Sequence, residues 1–217
     1  TNQQTPAPPT DTSLRRGRAG LATFDAAADF DDVHVAATAP RQLLRSQYFG
    51  SAYPGELQRV AGTWRLSQDI NSSFTGYRQL DASRSAFPVT GGQARNQEID
   101  VAVRPDAVSS EAAAWVGVLG RYIDVGNHYH AILRKTGRVE IRKQVNGVAT
   151  VLAAADLTVN FNQFNALRFR IIEDQLQFFL NEVHVLSARD DEIHEGRFGL
   201  ATNRAAATWD HFFVTQP

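Results

Sequence analysis

From residue 97 onward, hydrophobic and polar positions alternate along most of the chain. QEIDVAV (97–103) sets Ile99, Val101 and Val103 against Glu98 and Asp100, and NALRFRII (165–172) sets Leu167, Phe169 and Ile171 against Arg168 and Arg170. A period of two is that of a strand with one buried face. The same pattern predicts strands in AWVGVLGRYID (114–124), HYHAILRK (128–135), RVEIRKQV (138–145), QLQFFLN (175–181), VHVLS, RFGLAT (197–202) and TWDHFFV (208–214). Turn chemistry separates them at Asp124–Val125–Gly126–Asn127, Lys135–Thr136–Gly137–Arg138, Asn146–Gly147, Glu173–Asp174 and Asn181–Glu182. Asn-Gly is the strongest of these signals, because a type I′ hairpin turn needs positive φ at both central residues. GGQAR (91–95) also reads as a turn, while EAAAW (111–115) has helix formers but is too short to decide. Short strands every eight to twelve residues predict an all-β fold, an antiparallel β-sandwich or jelly roll.

A repeat divides the chain. GRFGLATNRAAATWDHFFV (196–214) matches GRAGLATFDAAADFDDVHV (17–35) at eleven of nineteen positions. The offset is one domain length, which points to tandem copies. Residues 1–13, TNQQTPAPPTDTS, then read as a linker, 14–35 as the terminal strand pair of an upstream jelly-roll copy, and 36–217 as a complete jelly-roll domain. The other reading is one enlarged sandwich with an internal duplication. A severed hairpin is marginal in water, so residues 14–35 need a packing partner.

Composition narrows the class. Hydrophobic residues make up 43% and charged residues 21% of the 217, a globular balance. The formal net charge is −1 and Arg is spread along the chain, which argues against nucleic acid and membrane surfaces as partners. Cysteine is absent, so disulfides, thiolate catalysis and Cys-built zinc sites are excluded. No run of eighteen apolar residues occurs, and Thr1 opens no signal peptide, as expected for a mature or trimmed chain.

Two stretches carry a family resemblance. NALRFRIIEDQLQFFLNEVHV, a polar loop and GRFGLATNRAAATWDHFFV look like the closing half of laminin G-like, concanavalin A-like jelly rolls of secreted bacterial proteins. GVLGRYIDVGNHYHAILRKTGRVEIRK is similar to the modules appended to pectate lyases and other polysaccharide-degrading enzymes. The resemblance covers roughly residues 45–217, and it weakens at QYFGSAYPGELQ, where an acidic start is usual. It implies a concanavalin A-like jelly roll, a secreted, extracellular bacterial setting, and a non-catalytic carbohydrate-binding or adhesion module. The expected partners are a neutral or acidic polysaccharide and an upstream jelly-roll or catalytic domain.

The candidate glycan contacts are Arg121, Tyr122, His128, Tyr129, His130, Arg134 and Arg142, with Glu140 among them in sequence. Aromatic rings stack on sugar faces, and Arg and His bond hydroxyls or carboxylates. Alternation places His128, His130 and Arg134 on one face and Tyr129 on the other; the alternative to a glycan-contact surface is that Tyr129 is core and the His and Arg side chains form a solvated sheet face. Tyr, His and Arg also suit a polysaccharide lyase, the alternative enzymatic reading, in which Arg neutralises a uronate and Tyr and His move the proton. The lyase string Gln–Ile/Val–His is absent. RVEIRKQV holds Arg138, Glu140 and Arg142 but no partner His string. A structural spacer is the third reading. Glycoside hydrolysis finds no Glu–x–Asp–x–x–Glu strand, and DDEIHE (190–195) reads as a solvated loop. Asp210 is matched by Asp31 in the repeat and by the family's aromatic–Asp step, which implies a structural Ca2+. Trp64, Trp115, Trp209, Phe169 and Phe178 are expected in the core.

Overall fold

The computed structural model describes residues 42–47, 57–68, 75–109 and 113–217. The linker over 1–13 and the repeat over 14–35 lie outside the described residues. In chain order the strands are β1 (Gln42–Gln47), β2 (Gln58–Ala61), β3 (Trp64–Gln68), β4 (Thr75–Gln79), β5 (Ser85–Ala94), β6 (Gln97–Val108), β7 (Trp115–Asp124) and β8 (Asn127–Arg134). They continue with β9 (Arg138–Val145), β10 (Val148–Asp156), β11 (Asn165–Ile172), β12 (Gln175–Leu180), β13 (Val183–Arg189), β14 (Gly196–Asn203) and β15 (Ala205–Gln216).

The described strands form two antiparallel sheets. One has eight strands in the order β13-β12-β11-β6-β15-β4-β3, with β1 also on β15, and the other has seven in the order β10-β9-β8-β7-β14-β5-β2. The fold is an antiparallel β-sandwich of jelly-roll type, as the alternation predicts. The turns fall where the sequence placed them, except at 91–95. Asn146 and Gly147 both have positive φ, at 50° and 79°, as a type I′ turn requires.

Three expectations change. β5 runs through Ala94, so Gly91–Ala94 belong to a strand and the turn narrows to Arg95–Asn96. The 190–195 loop is docked as well as solvated: Ile193 is buried, and Asp190 bonds both Tyr129 and Lys143. The 196–214 segment is not a hairpin. β14 pairs with β5 and β7 in one sheet, whereas β15 pairs with β6, β4 and β1 in the other. Arg204, at φ 51°, turns the corner between the layers.

The main core fills the space between the sheets, with Trp209, Phe169, Phe178, Tyr77 and Tyr129 among its fully buried side chains. A second cluster, Val89, Trp115, Leu119, Tyr122, Ile132 and Ala201, is also buried. Along β8, Tyr129, Ala131 and Leu133 belong to the main core and Ile132 to the second cluster. Since successive side chains point to opposite faces, the second cluster lies on the outer face of the seven-stranded sheet. Trp115 is therefore buried, but not in the core between the sheets.

Candidate functional site

The site is built on β7, β8 and β9. The Lys135–Thr136–Gly137 turn joins β8 to β9 and fixes their register, with His130 opposite Arg142, Ile132 opposite Glu140 and Leu133 opposite Val139. On the other side of β8, Trp115 stands opposite Arg134 and Leu119 opposite His130. The outward positions of three adjacent strands thus bring Trp115, His128, His130, Arg134, Arg138, Glu140 and Arg142 onto one surface.

Glu140 is the hub. Its Oε1 accepts from Arg134 Nε at 3.0 Å and from Arg138 Nε at 2.9 Å, and its Oε2 accepts from Arg142 Nε. The carboxylate side chain is 3% exposed. Burial works against its charge, but hydrogen bonds from Arg134 and Arg142 and the charges of both hold its carboxyl below the usual range. Beside it lies a shallow depression of about 470 Å³ lined by Ala113, Arg134, Thr136, Arg138 and Glu140. Arg138 is the most exposed of the three guanidinium side chains, at 40%, and reaches Asp156 at 3.4 Å.

Behind the depression runs a row of rings. Trp115 meets His130 edge-on at 5.4 Å between centroids, His130 meets His128 at 5.0 Å, and His128 stacks on Tyr122 at 5.6 Å. Phe87 approaches His128 from β5 at 6.1 Å. His128 Nδ1 lies 3.1 Å from the Asp124 carbonyl, whereas neither ring nitrogen of His130 has a hydrogen-bond partner among the described residues. Burial lowers the pKa of both imidazoles. For His130, the neighbouring His128, Arg142 and Arg134 push in the same direction.

Five of the seven expected glycan contacts meet here: Tyr122, His128, His130, Arg134 and Arg142. Arg121 and Tyr129 do not. Arg121 donates from Nε to the Arg95 carbonyl at 2.9 Å, from Nη1 to Ile193 at 2.8 Å and from Nη2 to Glu173 at 2.5 Å. It ties three loops together at one end of the sandwich. Tyr129 points into the core, where its hydroxyl donates to Asp190 at 2.5 Å and accepts from the Ile193 amide at 3.2 Å. Burial and the Asp190 carboxylate raise its pKa. A Tyr129–His130 acid–base pair is therefore not assembled, because the two side chains face opposite sides of β8.

Asp210 accepts from the His211 amide at 2.8 Å and faces His211 Nδ1 at 2.7 Å. Among the described residues no group of three or more His, Asp or Glu side chains gathers as a metal site. The donors present around Asp210 do not fit the implied calcium, and no role is derived through it.

Sequence reasoning missed Trp115, Phe87, Thr136 and Arg138 as members of this surface. Trp115 and Arg138 stand on different strands, and only the pairing of β7 and β9 with β8 makes them neighbours. The 135–138 turn signal fixed half of that pairing.

An antiparallel jelly-roll sandwich with a decorated outer sheet face is the class that fold and surface define. No family model matches the sequence, and no curated protein matches it. Among solved structures, the carbohydrate-binding module CBM66 from Bacillus subtilis is similar with a TM-score of 0.62 at 20% identity, over 73% of this chain and 94% of that one. Domain 4 of AbnA, a GH43 extracellular arabinanase from Geobacillus stearothermophilus in complex with arabinotriose, has a TM-score of 0.59 at 10% identity, over 81% and 93%. A Bacillus licheniformis β-glucanase has a TM-score of 0.54 at 12% identity, over 79% and 96%. At these identities the likeness establishes the shared fold.

Proposed function

We propose that this chain is a non-catalytic carbohydrate-binding module that holds a glycan on the outer face of its seven-stranded sheet. The observation that carries the reading is the depression at the end of β8 and β9. It combines an open concavity with guanidinium donors fixed on a buried carboxylate. A sugar ring offers hydroxyls to such donors. Two of the similar structures are carbohydrate-binding by their own descriptions, CBM66 and the arabinotriose complex. The expected context is that of the laminin G-like modules appended to pectate lyases: a secreted bacterial protein in which this domain delivers a polysaccharide-degrading partner to its polymer.

The test is retardation in affinity gels carrying neutral and acidic polysaccharides, with absorbance at 235 nm followed in parallel and a chelator arm for calcium. Retardation with no new absorbance is the expected result. New absorbance, from unsaturated sugar released by elimination, would replace the module with a lyase. Silence across the panel would leave a structural spacer.

A further inference from the structure

The seven-stranded sheet ends at β10, which pairs with β9 and has no described strand on its other edge. Val148–Val151 are exposed there, Val148 at 68% and Val151 at 46%. A free edge is a row of unpaired amide and carbonyl groups, and proteins guard such rows with short strands, charges, prolines or bulges. The three other strands that end the two sheet orders are guarded. β2 has four residues and carries Arg59, β3 carries Arg65, and β13 carries His184 and Arg189. β10 has nine residues, no proline, and no charged side chain before Asp156. Its one guard is the register shift between Val151 and Ala153, which leaves Val148–Val151 as the open run.

The corner around this run is apolar and tied in place. Gly147 donates from its amide to the Gly126 carbonyl at 3.0 Å, and the Asn146 amide donates to the Asn127 side chain at 3.0 Å, so the β9–β10 turn abuts the β7–β8 turn. Ile123 and Val125, at that second turn, are 59% and 52% exposed. Four of the six exposed large apolar side chains among the described residues thus gather at one corner, and a gathered apolar patch marks an interaction surface where scattered exposure does not.

Charge points to what covers it. A strand that meets its own copy antiparallel brings each charged side chain close to that of its twin, and like charges facing each other across a ladder are destabilising. Val148–Ala155 holds no charge, so β10 meets itself without that cost, as the other three end strands do not. We propose that β10 pairs antiparallel with β10 of a second copy of this chain, through Val148–Val151, in a two-fold dimer whose seven-stranded sheets join edge to edge. With the two-fold axis at Thr150, Ala149 of each chain faces Val151 of the other.

The joined outer face carries the Glu140 surface twice. At about 4.8 Å per strand, the two copies of β9 lie about 14 Å apart and those of β8 about 24 Å. One polymer chain can engage both surfaces, which raises retention without any new contact. This consequence rests on the carbohydrate-binding reading, whereas the pairing itself does not.

The experiment is sedimentation equilibrium of the whole chain without glycan, from low to high micromolar concentration. Wild type is compared with two double variants, Ala149→Lys/Val151→Lys and Ala149→Glu/Val151→Glu, with circular dichroism as the folding control. Both positions are exposed, so the core is untouched. Wild type is expected to approach twice the monomer mass as concentration rises. Each variant alone is expected to stay monomeric, because it sets like charges across the edge, and an equimolar mixture of the two is expected to dimerise again. A wild type that stays monomeric, or variants that dimerise alone as well as it does, overturns the pairing and leaves the carbohydrate reading standing. Affinity gels carrying neutral arabinan, xylan or β-glucan then test the joined face, since uncharged polymers do not respond to the added charges. The variants are expected to be retarded several-fold less than wild type, with equal affinity for the matching trisaccharide. Equal retardation of dimer and monomer overturns the two-site face alone. Retardation of neither chain overturns that face, while the sedimentation result still decides the pairing.

Discussion

Arg121 follows Gly120 with φ at 44°, and the register of β7 against β8 and β14 shifts at this point. The bulge turns its guanidinium toward the Arg95, Glu173 and Ile193 carbonyls. Arg121→Ala removes all three bonds and is expected to cost about 2–4 kcal/mol in denaturant unfolding. Tyr129→Phe leaves Asp190 and the Ile193 amide short of a partner and is expected to cost about 1–2 kcal/mol, with glycan affinity unchanged. The two imidazoles make stability depend on pH. Burial lowers the pKa of His128 and His130, so the unfolded chain binds more protons than the folded one below the ordinary imidazole value of about 6.5. Their contribution is present above that value and is lost as pH falls through it toward the folded values. The melting temperature should therefore decline already between about pH 7 and pH 5, before Glu140, whose depressed pKa acts below about pH 4.3, begins to contribute. His130→Phe removes two buried nitrogens without a partner among the described residues and should flatten that decline without loss of stability at neutral pH. A melting curve independent of pH over this range would contradict the assignment.

The strands from β6 to β9 and from β11 to β15 were legible because each alternates or carries an apolar run, and most end at a residue with a reason to turn. Asn181 and Glu182, for example, both adopt positive φ where the sequence placed a turn. β5 was not legible. SAFPVTGGQA holds a proline and two adjacent glycines, which read locally as breakers, yet pairing with β14 and β2 keeps it extended. The 196–214 repeat was legible as a unit but not as an arch between sheets, since a strand, a corner and a strand look alike in either arrangement. The structure explains which of its residues recur. Leu200, Ala201, Thr202, Ala205 and Ala207 are fully buried, and a Cβ at Gly199 would stand 2.2 Å from the Pro88 carbonyl oxygen. Their counterparts Leu21, Ala22, Thr23, Ala26, Ala28 and Gly20 are identical. Gly199→Val is expected to push β5 from β14 and to lower stability by about 1–3 kcal/mol, read as a drop in melting temperature. The site was half legible: alternation along β8 separated His128 and His130 from Tyr129, but Trp115 and Arg138 join them only through strand pairing.

Residues 38–217 form one compact unit, and both sheets lie within it. A chain begun at Thr38 is expected to unfold in a single cooperative thermal transition, which calorimetry would check. The sandwich has two surfaces on which a jelly roll can hold a ligand. One is the outer sheet face with the Glu140 hub, and the other is the loop edge that Arg121 ties together. The account places the glycan on the first. The most direct test is chemical-shift mapping of the isotope-labelled chain during titration with the glycan that affinity gels select. The account predicts shifts at the Trp115 indole, the His130 ring, Thr136, and the guanidinium groups of Arg134, Arg138 and Arg142, with the 95–96, 173–174 and 190–195 loops unmoved. Shifts confined to those loops, with the Trp115 and Arg138 signals unchanged, would contradict it.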